Sequence, residues 1–243
     1  MTLSDELDRT RRTRSLIEEL IADPAQLGPD FQAIRRLEDD TLVGWKATGR
    51  GKPGTDVADT LALLAGAQSL GLVERLDWAF RCLAFDTSLA AGVAVPLHIT
   101  PEPETFESPC PPRLAVSFGR GRRGLTVAAE LHHDAFVDLG KLRRSVEEFR
   151  SWGWRIVLAD VAGEPGVEQA LPWLVPDIVQ VDLDRPARGA DPRVRAIIGA
   201  ALDRGSEVMA LGVDSPRRRD EAVGVGATTG RGHLFGSPGA LPL

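Results

Sequence analysis

The sequence predicts an α/β barrel, and three observations carry that expectation. Short β-type runs alternate with helix-period segments beyond about Phe31, the pattern of a parallel sheet covered by helices. Glu130, Asp160, Asp182 and Leu211 each fall at the end of a β-type run, about 20–30 residues apart, which is roughly one βα unit. The 243 residues come close to the roughly 250 that a single (β/α)8 barrel needs. In such a barrel the C-terminal strand ends converge on one mouth, so four distant segments deliver those residues to one cavity.

Taken in order, the first element is a helix from about Ser4 to Ala22. Ser4 is a suitable cap, and Leu7, Leu16, Leu20 and Ile21 supply apolar positions around the basic run Arg9-Thr10-Arg11-Arg12. Asp23-Pro24 ends it, because the residue before proline is pushed out of the α region. Residues 1–30 are therefore expected to form a helical extension ahead of a barrel over 31–243. Within the barrel the β-type runs are Leu42–Ala47, Pro96–Thr100, Leu125–Glu130, Arg155–Ala159, Asp177–Asp182 and Glu207–Ala210. Helix-period segments cover Val57–Leu70, Val73–Leu89, Leu142–Trp152, Pro192–Asp203 and a short stretch near Pro216–Val223. Glycine-rich Gly224–Gly230 reads as the last loop and the closure of the barrel, since its spacing is wrong for a dinucleotide turn.

Composition narrows the function classes. A net charge of −6 gives no electrostatic reason to expect nucleic acid as a partner. Arg120-Gly121-Arg122-Arg123 and Arg217-Arg218-Arg219 therefore read as solvated loop or helix faces. No run approaches the ~18 apolar residues of a membrane span, and the charged N-terminus lacks the apolar core of a signal peptide. Cys82 and Cys110 have no metal-type spacing and read as reduced thiols, so a cytoplasmic protein is expected. Gly49-Arg50-Gly51-Lys52-Pro53 is not a phosphate loop, because proline follows the lysine. Neighbouring His132, His133 and Asp134 point different ways past a strand end, so they read as surface residues before metal ligands. Trp78, Trp152 and Trp154 read as packing residues.

The motifs at the strand ends carry more. Phe31-Gln32-Ala33-Ile34 followed by Leu42-Val43-Gly44-Trp45-Lys46-Ala47-Thr48-Gly49-Arg50 resembles the F-Q-P-I and V-G-x-E-A-L-x-R segments of EAL-family cyclic di-GMP phosphodiesterases, a bacterial signalling family. Leu125–Glu130 is similar to that family's E-[IV]-T-E strand, Arg155–Gly163 to A-L-D-D-F-G, and Pro176–Asp182 to P-D-x-[IL]-K-[IL]-D. Val208–Ser215 is similar to V-x-A-E-G-V-E-T, and Gly230–Pro238 to x-Q-G-[YW]-L-F-G-x-P. The likeness runs from about Phe31 to Pro242.

The resemblance implies an EAL-type, TIM-like barrel with one antiparallel strand, and it implies a degenerate site. Lys46 stands at the metal-binding glutamate, and an ammonium cannot replace the oxygen ligands that Mg²⁺ or Mn²⁺ takes. Thr100 takes the place of an asparagine ligand, or His98 does if the register slips. Ala159 replaces an aspartate ligand, Gln180 the lysine associated with the attacking water, Leu211 a glutamate and Arg231 a glutamine. Glu130, Asp160 and Asp182 remain. The resemblance thus implies a pseudoenzyme holding no metal and no cofactor, with Lys46 as the counter-charge to the surviving carboxylates. The leading reading is a regulatory or protein-interaction module whose protein partner is unidentified. The alternatives are a metal-independent cyclic di-GMP receptor using Gln32 and Arg50, and a residual phosphodiesterase. A homodimer through Val161–Trp173 is a further expectation from the family, although that segment departs from the family's pattern.

Overall fold

The computed structural model describes residues 3–159, 165–184 and 192–242. Eight strands close into one barrel in chain order: β1 (Gly28–Arg36), β2 (Leu42–Arg50), β3 (Leu97–Ile99), β4 (Val127–Leu131), β5 (Arg155–Leu158), β6 (Ile178–Asp182), β7 (Glu207–Leu211) and β8 (Thr229–Arg231). β1 runs antiparallel to both β2 and β8, and every other neighbouring pair is parallel. The antiparallel β1 follows from its short connection: five residues, with Asp40 at φ 59, join it to β2, whereas a parallel neighbour needs a crossover of about a dozen.

The helices described are α1 (Leu3–Ala22), α2 (Thr60–Leu70), α3 (Val73–Ala90), α4 (Ala115–Gly124), α5 (Leu139–Ser151), α6 (Pro165–Leu174), α7 (Pro192–Leu202) and α8 (Pro216–Gly224). Local chemistry fixes several of their ends. The Asp59 carboxylate accepts from Ala62 N at 2.9 Å and caps α2, Asp138 caps α5 through Lys141 N at 2.9 Å, and Ser215 caps α8 through Arg218 N at 3.3 Å. Gly71 ends α2 in the left-handed region at φ 67, which a residue bearing a Cβ enters only at a cost. Among the described residues, no helix is long and apolar enough to cross a membrane.

Several elements differ from the pattern read in the sequence. β1 and β8 are additional strands. β8 is only Thr-Gly-Arg and carries no apolar side chain, and β1 mixes Pro29, Asp30, Arg35 and Arg36 with its apolar residues, so neither shows a hydrophobic run. Helices α4 and α6 are also additional: α4 is rich in arginine and glycine, and α6 contains Pro172. Ser4 lies inside α1 instead of capping it.

Side chains between the barrel and the helix ring form the main core. Phe118 of α4 is its aromatic centre, with ring centroids 5.1 Å from Trp78, 5.2 Å from Trp152 and 6.3 Å from Trp154, so the three tryptophans pack as expected. α4 lies so close to α3 that a Cβ on Gly121 would meet Phe85 Cδ2 at 2.1 Å. Ile17, Leu20 and Ile21 of α1 are fully buried against Val57, Leu63, Ala67 and Leu76. The first helix is thus seated on α2 and α3, and β1 begins at Gly28, inside the segment read as an extension.

Candidate functional site

Strand alternation sends every second residue into the barrel, and two layers result. The lower layer, toward the N-terminal strand ends, is apolar: Ile34, Ala128, Val157, Ile178 and Met209 form one buried cluster. Two residues further along the parallel strands the inward positions turn polar. Lys46 pairs in register with Gln32 on β1 and His98 on β3, while Glu130 and Gln180 follow Ala128 and Ile178.

Glu130 is the centre of this upper layer and has no exposed surface. Its Oε2 lies 2.7 Å from Lys46 Nζ and 3.8 Å from an Arg231 guanidinium nitrogen, and its Oε1 lies 3.1 Å from His98 Nδ1. Lys46 Nζ also donates to Thr100 Oγ1 at 2.5 Å. Burial pushes the Glu130 carboxyl up, but the ammonium, the guanidinium and the imidazole together overcome it and hold the group well below the usual carboxylate range. Burial pulls the Lys46 ammonium below its ordinary value, with Glu130 opposing, and burial likewise lowers His98, keeping that ring neutral near pH 7.

The remaining predicted positions are distributed around this pair. Thr100 and His98 both reach the cluster: they are two residues apart and face the same way, and Thr100 meets Lys46 while His98 meets Glu130. Gln180 is 1% exposed, and among the described residues neither its Oε1 nor its Nε2 has a hydrogen-bond partner; the Nε of Arg231 is similarly unpartnered there. Ala159 is buried and offers only a methyl group; its backbone N donates to Leu131 O at 2.9 Å. Asp182 sits half-exposed at the end of β6, and its Oδ1 accepts from Asp184 N at 2.9 Å. Leu211 pairs in register with Asp182 and packs against the apolar layer. Asp160 lies outside the described residues. Gln32 donates from Nε2 to Gly236 O at 3.3 Å, and exposed Arg50 forms an ion pair with Asp30 at 3.5 Å.

This set does not fit a divalent cation. The contacts of Glu130 are an ammonium, a guanidinium and an imidazole, and the positions of Ala159 and Leu211 carry no donor atom. Among the described residues no three His, Cys, Asp or Glu side chains stand together as metal ligands. His133 and Asp134 are exposed and pair with each other at 2.6 Å.

A cavity of about 490 Å³ opens over the C-terminal ends of β2, β3 and β4, beside Lys46, Thr48 and Thr100 and reaching Leu61, Leu64 and Phe80 of α2 and α3. Its wall holds a group that the sequence reading passed over. Asp77 and Arg81 form a buried ion pair one turn apart on α3, bridged by Thr105, with Arg81 4.4 Å from the centre of the Trp78 ring. The spacing of four between opposite charges on an apolar helix was the available signal. Beside them, burial first and the neighbouring Asp77 second push the Glu102 carboxyl up to about 7.

The architecture is similar to that of several solved EAL domains. The FimX EAL domain of Xanthomonas citri, in complex with c-diGMP, matches with a TM-score of 0.80 over 98% of this chain and 97% of that one, at 17% identity. The FimX EAL domain from Pseudomonas aeruginosa, bound to c-di-GMP, matches at 0.77 over 94% and 97%, with 15% identity. The YkuI protein of Bacillus subtilis, with an EAL domain and in complex with substrate c-di-GMP and calcium, matches at 0.72 over 93% of this chain and 59% of that one, with 18% identity. No family model matches the sequence, and no curated protein does. At these identities the likeness establishes the fold, an EAL-type α/β barrel.

Proposed function

We propose that this chain is a catalytically inactive EAL-like module that regulates through a protein partner in the cytoplasm. One observation carries the reading: Lys46 Nζ lies 2.7 Å from Glu130 Oε2, so a covalently tethered cation answers a carboxylate that resembles a metal ligand. Metal-dependent hydrolysis of a phosphodiester uses bound cations to polarise the phosphate and to lower the pKa of water from about 15.7 towards 7. An ammonium at Lys46, a methyl group at Ala159 and an uncharged amide at Gln180 supply neither action.

A second reading has its own support. The cavity beside Lys46, with the hydroxyls of Thr48 and Thr100 at its edge, and the likeness to FimX domains bound to c-di-GMP favour a metal-independent receptor for that dinucleotide. Gln32 and Arg50 would be its contacts on β1 and β2. Residual hydrolysis is the third outcome. Titration of the purified chain with cyclic di-GMP, with and without Mg²⁺ or Mn²⁺, separates the three when products are followed by chromatography. No binding and no product supports the interaction module, and saturable binding without product supports the receptor. Metal-dependent product that survives repurification and is lost in Asp182→Ala would overturn both.

A further inference from the structure

A second cavity lies outside the barrel, between α3, α4, α5 and the loop after β3. Its volume is about 240 Å³, and the rings of Trp78, Phe118, Phe149 and Trp152 line it. On the other side it is bordered by Glu107, Pro109 and Glu148, all exposed, so it opens to solvent.

Three residues bordering this cavity hold buried polar atoms with no hydrogen-bond partner among the described residues: Arg81 Nε, Trp78 Nε1 and Ser145 Oγ. Arg81 and Trp78 are each 2% exposed and Ser145 is 1% exposed. Buried polar groups of folded proteins are nearly always satisfied, so three orphans around one space mark a missing partner. The arginine and indole nitrogens can only donate, and the serine hydroxyl can donate as well. The missing partner is therefore an acceptor. The nearby protein acceptors are engaged elsewhere. Glu107 pairs with Arg144, and Thr105 Oγ1 already accepts from Arg81 Nη2 at 2.9 Å.

Charge and size narrow the class. Arg81 is answered by Asp77, with which it forms a buried ion pair. Arg122, with its guanidinium carbon 5.5 Å from the centre of the Trp152 ring, and Glu148 offset each other at the rim. A carboxylate drawn inside would be a buried charge without a counter-ion, which is costly. The volume is below the roughly 300–1,000 Å³ of sites for drug-sized ligands, so a single ring fills it.

We infer that this outer cavity is a binding site for a compact, uncharged aromatic carbonyl compound, of the aryl ketone class. Its ring lies among the aromatic walls, and its carbonyl oxygen accepts from the Arg81 Nε–H, with Trp78 and Ser145 as the neighbouring donors. The arginine N–H is the strongest of the three because it belongs to a charged group. The site stands whichever reading of the barrel mouth is correct, since it uses none of the residues assigned there.

The test is titration of the full chain with acetophenone by calorimetry, alongside NMR of the ¹⁵N-labelled arginine Nε–H and indole N–H groups. Saturable binding is expected, with displaced Arg81 and Trp78 signals. Ethylbenzene, which has nearly the same shape and no oxygen, should bind about tenfold to a hundredfold more weakly, the ratio expected of a hydrogen bond from a charged donor. Benzoate should bind more weakly than acetophenone. Ser145→Leu, which fills the cavity and removes one orphaned hydroxyl, should abolish the binding. Ser108→Phe, at the half-buried edge of the loop, should do the same and decides the matter if Ser145→Leu does not fold. Absence of saturable binding, unmoved Arg81 and Trp78 signals at saturation, equal affinity for ethylbenzene, tighter binding of benzoate, or unchanged affinity in a folded variant would overturn the assignment.

Discussion

The two layers inside the barrel are built by the same strands and obey opposite rules. In the lower layer Ile34, Ala128, Val157, Ile178 and Met209 meet as alkyl surfaces, and each stabilises the fold by the apolar area it removes from water. Two residues along the same strands, Gln32, Glu130 and Gln180 occupy the corresponding places, with Lys46, His98 and Arg231 between them. These groups are tolerated in the interior only as a balanced set, because an unpaired buried charge is far more costly than a buried methylene. The lower layer therefore accepts substitutions one at a time according to volume, whereas the upper layer accepts them only in charge-matched combinations.

The largest effect that tests this contrast is Lys46→Glu. The change sets a second carboxylate against Glu130 and removes its counter-charge. Breaking a buried pair in this way costs on the order of 3–5 kcal/mol, so urea denaturation in EDTA should show a loss of that size. An unaltered midpoint would mean that the upper layer is not charge-balanced as described. The same variant should also fail to hydrolyse cyclic di-GMP with Mg²⁺, because one carboxylate does not rebuild a metal cage.

Ile34→Val is the matching change below, a single methylene removed from a buried apolar position. The expected loss is about 0.5–1.5 kcal/mol with the fold retained. A cost as great as that of Lys46→Glu would erase the distinction between the layers.

A third contrast is in the protonation of two carboxyls at the mouth end of the barrel. Glu130 is held well below the ordinary carboxylate value. Its stabilising contribution is therefore complete above about pH 4.3, the unfolded value, and is lost as pH falls from there through the folded value. Glu102 is raised to about 7, so the folded state favours its protonated form, and stability declines as pH rises from about 4.3 through the folded value. Carbon-13 NMR titration of labelled glutamates reads both midpoints directly. Glu102→Gln should also abolish the decline in its pH window. Equal midpoints for the two carboxyls would show that neither senses the surroundings described.

Much of this was legible in the residues because apolar runs report strands. The runs of β4, β5, β6 and β7 lie in consecutive βα units, and the match of Lys46 to a lost carboxylate pointed to a counter-charge for Glu130, Asp160 or Asp182, of which Glu130 is the one it pairs with among the described residues. What escaped notice lacks such runs. β8 consists of Thr229, Gly230 and Arg231, whose strand character comes from pairing with β1 and β7 and not from its own side chains. The role of Arg231 beside Glu130 and the simultaneous contact of His98 and Thr100 depend on barrel closure, which brings residues far apart in sequence to within hydrogen-bonding distance. The Asp77–Arg81 pair was visible as a spacing of four. Its burial depends on Thr105 and the loop after β3, which no local pattern reports.

The seam of the barrel bears on how the chain is made. β1 is held on one side by β2, its immediate successor, and on the other by β8 and by Gly239, which exchanges backbone hydrogen bonds with Phe31 at 2.6 and 3.1 Å. A ribosome finishes the β1–β2 hairpin early and reaches Gly239 only after β8. At about 5–20 residues per second the interval is roughly 10–40 s. Throughout that time one edge of β1 is a strand without a neighbour, able to pair with another nascent chain. The helix ahead of it, already translated and seated on α2 and α3 once they emerge, buries apolar surface early but leaves that edge open. The speed of elongation through the second half of the message thus becomes a determinant of yield, and slow codons after β2 lengthen the exposure.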